Sequence, residues 1–298
     1  MANITLLDGG MGQELLARTG DTPTPMWATQ VMIDHPDVVR EIHADYFAAG
    51  ATVATTNSYA IHHDRLIPFD RDGLFEGLHQ KALAQANLAR AAHGSGRVAG
   101  SLGPLMASYR PDLCPPADEA AVKYAEIVAL QAAQVDFFLC ETMASIDQAE
   151  GALKGAAGSG KPVWLSVTVE DADGTRLRSG EPLLGLKPLL ERYHPEAVLV
   201  NCSVPEAMDK AMTIMAGFGL PFGAYANGFT HITEAFREDR PTVASLQVRT
   251  DLTPARYAAF AMGWVAQGAT IIGGCCEVGP AHIAELARQL HAAGHRIV

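Results

Sequence analysis

A chain of 298 residues, 48% hydrophobic and 18% charged, buries enough surface for one large core or two ordinary ones, which excludes disorder and collagen-like arrays. Its 22 Lys and Arg face 33 Asp and Glu, and a net charge of −11 repels nucleic-acid phosphates and anionic lipid, so neither nucleic acid nor membrane is an expected partner. No apolar run reaches the roughly 18 residues that span a bilayer, and the opening MANITLLDGG lacks the basic start and long apolar stretch of a signal peptide; a cytoplasmic protein with its five cysteines reduced is expected.

Short apolar, β-branched runs bounded by Gly, Pro or polar clusters predict a first strand near Ile4 to Leu7 and a second at Ala51 to Thr56. Between them, Val38, Val39, Ile42 and Tyr46 fall on one stripe of a helix from Pro36 to Gly50, with Pro at its start and Gly at its end. Further strands are expected at Arg97 to Leu102, Asp136 to Glu141, Pro162 to Val169, Ala197 to Cys202, Pro221 to Ala226 and Ala269 to Gly273. Helical period fills residues 119–134, 145–157, 205–217, 254–267 and 280–293, and Pro205, Pro254 and Pro280 each sit where a first turn begins. Strict alternation of strand and helix means parallel strands with helical crossovers, and eight units predict one (β/α)8 TIM barrel occupying residues 1–298 as a single domain. The competing open, doubly wound sheet wants a G-x-G-x-x-G turn after an early strand, and the chain has none.

The C-terminal ends of these strands carry the chemistry: Asp8-Gly9-Gly10, Thr56-Asn57, Ser101-Leu102-Gly103, Glu141-Thr142, Asn201-Cys202-Ser203, Asn227-Gly228 and Gly273-Gly274-Cys275-Cys276. In a barrel those ends meet on one face. Cys202 and the Cys275-Cys276 pair then point three thiols into one mouth, a donor set that suits zinc with one position left open. Adjacent residues of a regular strand face opposite sides, so the pair can share a metal only if the chain leaves extended geometry, which Gly273 and Gly274 ease. Small buried hydrophobes or a vicinal disulfide are the alternatives. Cys140, alternating with Glu141, is expected to face the helical layer; Cys114 has no assigned role. Residues 171–183 begin like a calcium loop but lack its closing glutamate and are read as a turn or mobile lid, while His62 and His63 are read as solvated loop residues.

Several of these pieces resemble the zinc-dependent homocysteine S-methyltransferase family: Leu7-Asp8-Gly9-Gly10 with Gln13-Glu14-Leu15, Trp27 running into His35-Pro36, Tyr46 to Gly50, Thr56-Asn57-Ser58-Tyr59, Glu141-Thr142, Asn201-Cys202-Ser203, and Gly273-Gly274-Cys275-Cys276 followed by Pro280 and His282-Ile283. The resemblance covers nearly the whole chain, and its most specific element is Gly-Gly-Cys-Cys with an upstream Asn-Cys. It implies that Cys202, Cys275 and Cys276 hold Zn²⁺, that homocysteine enters the open position through its thiol, and that methyl transfer from a small onium donor such as S-methylmethionine or S-adenosylmethionine yields methionine. Coordination removes the thiol proton outright, where a free thiol of pKa about 8.5 is only a few per cent ionised at pH 7. Glu141 and Asp8 are the candidates to hold the substrate ammonium, Gly10 and Met11 at the start of the first helix to receive its carboxylate, and Asn57 joins this substrate-binding set. Trp27 and Tyr59 fall where onium-dependent relatives carry aromatics, whose faces attract such cations. Betaine-dependent relatives have an aromatic after the glutamate, where this chain has Thr142, and many relatives have Pro before the asparagine that is Asn227 here. A methyltransferase working with a corrinoid partner protein and a non-catalytic zinc- or thiol-binding barrel are the competing readings; outward helix faces allow a homo-oligomer without fixing one.

Overall fold

The computed structural model describes residues 1–238 and 240–298. Among these residues nine strands are formed, β1 Asn3–Leu6, β2 Val53–Thr55, β3 Arg97–Leu102, β4 Phe137–Met143, β5 Val163–Val167, β6 Ala197–Asn201, β7 Phe222–Tyr225, β8 Ile271–Ile272 and β9 Arg296–Ile297. The α-helices among the described residues are α1 Met11–Thr19, α2 Ala28–Asp34, α3 Pro36–Ala48, α4 His63–Leu66, α5 Phe75–His93, α6 Ala117–Gln131, α7 Ile146–Ala156, α8 Lys187–Tyr193, α9 Pro205–Met215, α10 Pro254–Ala266 and α11 Pro280–Ala292. Every expected strand and helix is present, within a few residues at its ends. The proline-led helices start where expected because proline at the first position lacks only an N–H that has no intrahelical acceptor.

The strands form one curled parallel sheet in the order β2-β3-β4-β5-β6-β7-β8-β1-β9. Side chains alternate through it. In β4, Phe137 and Leu139 enter an inner cluster, whereas Phe138 and Cys140 pack outward against the helices, as expected for Cys140. In β6, Ala197 and Leu199 point in while Val198 and Val200 point out. The inner cluster gathers Leu7, Val53, Ala99, Phe137, Leu139, Trp164, Ala197, Leu199, Tyr225 and Ile271, and Arg97 lies 4.4 Å over Phe137 and 5.3 Å over Trp164. Filled this way, the interior is a core rather than a channel.

One expectation is corrected at the seam between β1 and β2. The two strands share no ladder, because β9, absent from the sequence reading, takes the first half of the β1 edge: Arg296 N donates to Ala2 O and Val298 N to Ile4 O. Beyond it Thr52 N reaches Leu6 O at 2.7 Å, and the Thr52 hydroxyl donates to Val298 O at 2.8 Å. The sheet is therefore curled but open in its ladder, with the chain's last residues filling the lower part of the seam. Removing residues 296–298 forfeits three of these bonds at roughly 1 kcal/mol each, so differential scanning calorimetry should show Tm lower by about 5 °C or more. An unchanged Tm would mean β9 only rests on the sheet.

Candidate functional site

The C-terminal ends of the strands surround a cavity of about 330 Å³. Asp8, Gly10, Met11, Trp27, Asn57, Tyr59, Glu141, Cys202, Cys275 and Cys276, residues far apart in sequence, all line it. Non-glycine residues in the left-handed region are concentrated here: Trp27, Met106, Tyr109, Thr142 and Cys202 line the cavity with φ between 48° and 63°. Such conformations persist only where the surroundings over-determine them.

Cys202 leaves the end of β6 at φ 50°, which swings its side chain off the strand and over the mouth. The Cys275–Cys276 segment arrives differently. β8 ends at Ile272, and the chain is already out of the sheet before the pair, turning at Glu277 with φ 65°. Gly273 and Gly274 do not adopt positive φ; they are required because a Cβ on Gly273 would sit 2.5 Å from the Leu7 Cβ and one on Gly274 2.2 Å from a Val278 methyl. The glycines of Asp8-Gly9-Gly10 meet the same loop from the other side, where a Cβ on Gly10 would lie 2.7 Å from Cys275 O. Two glycine pairs thus allow the ends of β1 and β8 to touch.

The three sulfur atoms lie within 4.8 Å of one another. Cys202 and Cys275 are joined, with Sγ–Sγ 2.14 Å, and Cys276 is free. This corrects both the expectation of five reduced thiols and the alternative of a vicinal bridge, since the link spans two strand ends rather than neighbouring residues. When reduced, three soft donors in this envelope match a metal such as zinc, whose thiolates in a tetrahedral site stand roughly 3.8 Å apart for Zn–S bonds of 2.3 Å.

Both acidic residues are buried. Asp8 takes the Thr55 backbone N–H at 2.6 Å on one oxygen and the Thr55 hydroxyl at 2.8 Å on the other, a clasp across the β1–β2 seam. Glu141 accepts hydrogen bonds from the hydroxyls of Ser101 and Tyr225. Burial pushes each carboxyl up to about 7 against the lowering effect of these bonds, and Glu141 adds repulsion on Asp8. Among the described residues neither carboxylate is ion-paired, so the cavity offers two acceptors for a cation. Because the folded state holds their protons more tightly than the unfolded chain, stability from these groups is full near pH 4 and is lost as pH rises toward 7. Glu141→Gln removes the loss, so urea unfolding should show this variant gaining on wild type between pH 5 and pH 8 by on the order of 3 kcal/mol. Parallel stability profiles would mean that Glu141 does not hold a proton in the folded state.

Other expected site residues are placed with specific duties. Gly10 N–H is bound to Val278 O, so it cannot serve a ligand, which leaves the start of α1 at Met11 and Gly12 for an anion. Asn57 donates to Ala28 O and fastens the start of α2 to the mouth. The rings of Trp27 and Tyr59 meet edge to face at 6.1 Å, Arg65 lies 5.7 Å over Tyr59, and the Tyr59 hydroxyl is hydrogen-bonded to that of Ser108. They form a wall rather than a stacked cage. Thr142 sits in a bulge of β4, tied to Asn201 through its own N–H and hydroxyl, and Asn201 also accepts from Ser166. Asn227 is buried beside the mouth without lining the cavity; its Oδ1 accepts from Phe229 N.

The reading of His62 and His63 as solvated loop residues is overturned. His62 is buried, with Nε2 against Tyr59 O and its ring edge-on to Tyr124, and His63 is stacked on Phe75 between Asp72 and Glu126. Residues 171–183 form a turn, one of the two forms expected of them, braced by antiparallel bridges Val169–Leu177 and Arg176–Pro182. The sequence reading also misses the apolar group nearest the sulfurs, Tyr109, Phe229, Ile232 and Leu246, which clusters with Cys202 and is flanked by Phe236, Cys275 and Cys276. Tyr109 and Phe229 follow β3 and β7 closely, so the strand-end rule that finds Glu141 would have found them too.

Comparison with known proteins agrees with this geometry. The profile of the homocysteine S-methyltransferase family matches residues 5–290. The Escherichia coli homocysteine S-methyltransferase is 31% identical over 310 residues, covering 95% of this chain and 94% of its own, and homocysteine S-methyltransferase 4 of Zea mays is 28% identical over 97% and 90%. Among solved structures, the metallated form of the homocysteine methyltransferase MmuM from E. coli superposes with TM-score 0.80 at 28% identity, covering 96% of each chain, and its oxidized form with TM-score 0.81 at 29% identity over the same shares. With the profile spanning nearly all of its residues, the chain belongs to the homocysteine S-methyltransferase family.

Proposed function

We propose that this protein methylates homocysteine to methionine at the cavity described, with Cys202, Cys275 and Cys276 in their reduced state as the ligands of one zinc ion and a small onium compound as methyl donor. The observation that carries the reading is the convergence of three sulfurs with two unpaired buried carboxyls in one cavity. Bound zinc would supply a deprotonated, electron-rich substrate sulfur at neutral pH. Glu141 and Asp8 hold the substrate ammonium, and the free N–H groups at the start of α1 receive its carboxylate, so the amino-acid end is fixed while the sulfur lies among the cysteines. Held this way, the sulfur can lie about 3 to 3.5 Å from the donor methyl and in line with its leaving group.

For the donor, the wall of Tyr109, Phe229, Phe236 and Leu246 excludes water, and Trp27 and Tyr59 present aromatic surface to a dispersing positive charge. A cation suits a cavity whose buried acids, Asp8 and Glu141, have no ion-pair partner among the described residues. We read residues 1–298 as one barrel domain of the (β/α)8 type, with Thr52 and Asp8 closing the seam that lacks a ladder.

The test is methionine formation followed by mass spectrometry, with reduced, zinc-loaded protein, homocysteine, and S-methylmethionine, S-adenosylmethionine, betaine, dimethylsulfoniopropionate and methylfolate supplied in parallel. Product from S-methylmethionine or S-adenosylmethionine is expected, and little from betaine, because Thr142 stands where betaine-dependent relatives have an aromatic. Silence with every onium donor from protein shown to hold zinc would overturn the reading.

A further inference from the structure

We infer that the buried pair Asp171–Arg178 positions Cys202 and the apolar wall beside it, so that this loop sets how tightly the cysteines hold their metal. The inference rests on the zinc reading above and concerns residues that bind neither metal nor substrate. The side chain of Arg178 is 2% exposed and that of Asp171 15%, an unusual depth for an ion pair in a loop. The guanidinium makes two bonds to Asp171, at 2.8 and 3.2 Å, and its remaining donors are aimed elsewhere: Nε to the Thr168 hydroxyl at 2.9 Å and one terminal nitrogen to Cys202 O at 3.2 Å. The Thr168 hydroxyl lies 3.3 Å from the same carbonyl. On the other side of the residue, Cys202 N donates to Tyr225 O.

Cys202 is therefore pinned at both its N–H and its C=O, which fixes the left-handed backbone that aims its sulfur over the mouth. Asp171 extends the same brace. Its Oδ1 accepts from Val204 N at 3.1 Å and its Oδ2 from Ile232 N at 2.9 Å, while Arg178 lies 4.9 Å over the ring of Tyr109. One ion pair thus joins the segments after β3, β6 and β7 that carry Tyr109, Cys202 and Ile232, members of the cluster around the sulfurs. The pair is neutral as a whole, so its effect on the metal site is geometric rather than electrostatic. Lysine at this position would keep the charge on Asp171 but has no planar fork to reach Asp171, Thr168 and Cys202 together.

The experiment is zinc affinity by chelator competition, together with the thiolate-to-cobalt absorption of Co²⁺-substituted protein, on Arg178→Lys, Thr168→Val and, as an exposed control in the same loop, Arg176→Gln. Folded Arg178→Lys should bind zinc about 10 to 100 times more weakly, the range for residues that orient metal ligands, with altered cobalt bands and an unchanged far-UV spectrum. Arg176→Gln should match wild type. Wild-type affinity and bands in folded Arg178→Lys would overturn the inference. Should Arg178→Lys fail to fold, Thr168→Val decides: it removes one support of the Cys202 carbonyl, a several-fold weaker site is expected, and wild-type affinity would overturn the inference. Failure of the wild-type protein itself to bind zinc would instead remove the zinc reading.

Discussion

Replacing Cys276 by alanine is expected to abolish zinc retention and lower turnover by at least about 1,000-fold, the largest effect of any single change here. Two thiolates cannot hold the ion in a three-ligand site, and without it homocysteine reverts to a thiol that is a few per cent ionised and unaligned with its donor. Cys276 is the most informative of the three, because it is the free cysteine, so its loss leaves the Cys202–Cys275 contact untouched. Metal content by atomic emission and methionine production, measured on the same preparation, make the check. Cys140→Ala supplies the control, since that side chain packs against the helices, and it should keep both zinc and activity. An active, zinc-free Cys276→Ala protein would end the mechanism.

Glu141→Ala should behave in the opposite way, keeping zinc while KM for homocysteine rises by about 10 to 100-fold. A hydrogen bond between charged groups contributes roughly 1.5 to 3 kcal/mol, and the ammonium would lose one such partner while keeping Asp8. The split distinguishes the roles: zinc content reports on the cysteines, KM on the carboxyls. Wild-type KM in a zinc-replete Glu141→Ala enzyme would take Glu141 out of the substrate site.

What the linear chain reveals follows from how far each interaction reaches. Strand positions, helix starts at proline and the mouth residues depend on local pattern and on one topological rule, and these stand. The outward face of Cys140 follows from alternation alone. The errors share a different cause. β9 has two residues and no pattern of its own; it exists because the edge of β1 is there to receive it. His62 reads as polar and hence wet, yet Tyr124 and Tyr59 bury it. For the loop 171–183 the sequence leaves a turn and a mobile lid both open, because its brace, Arg178 to Cys202, joins residues with no shared periodicity. The glycines before the cysteines are recognisable as a motif, but the reason for them, the approach of Leu7 and Val278, is a fact of three dimensions.

The placement of β1 also bears on how the sheet closes. Thr5 pairs with Ile271 and Ile4 with Ile297, so both ladders of β1 join residues far apart in sequence, while only isolated bonds from Thr52 and Thr55 reach it from nearby. Contacts of such separation close slowly. The units from β2 to β7 pair with their neighbours in sequence, whereas the contact of the Asp8 loop with the cysteine-bearing loop depends on the long-range pairing of β1 with β8. The meeting of the Asp8 loop with the cysteine-bearing loop is thereby tied to the contacts of longest sequence separation in the sheet.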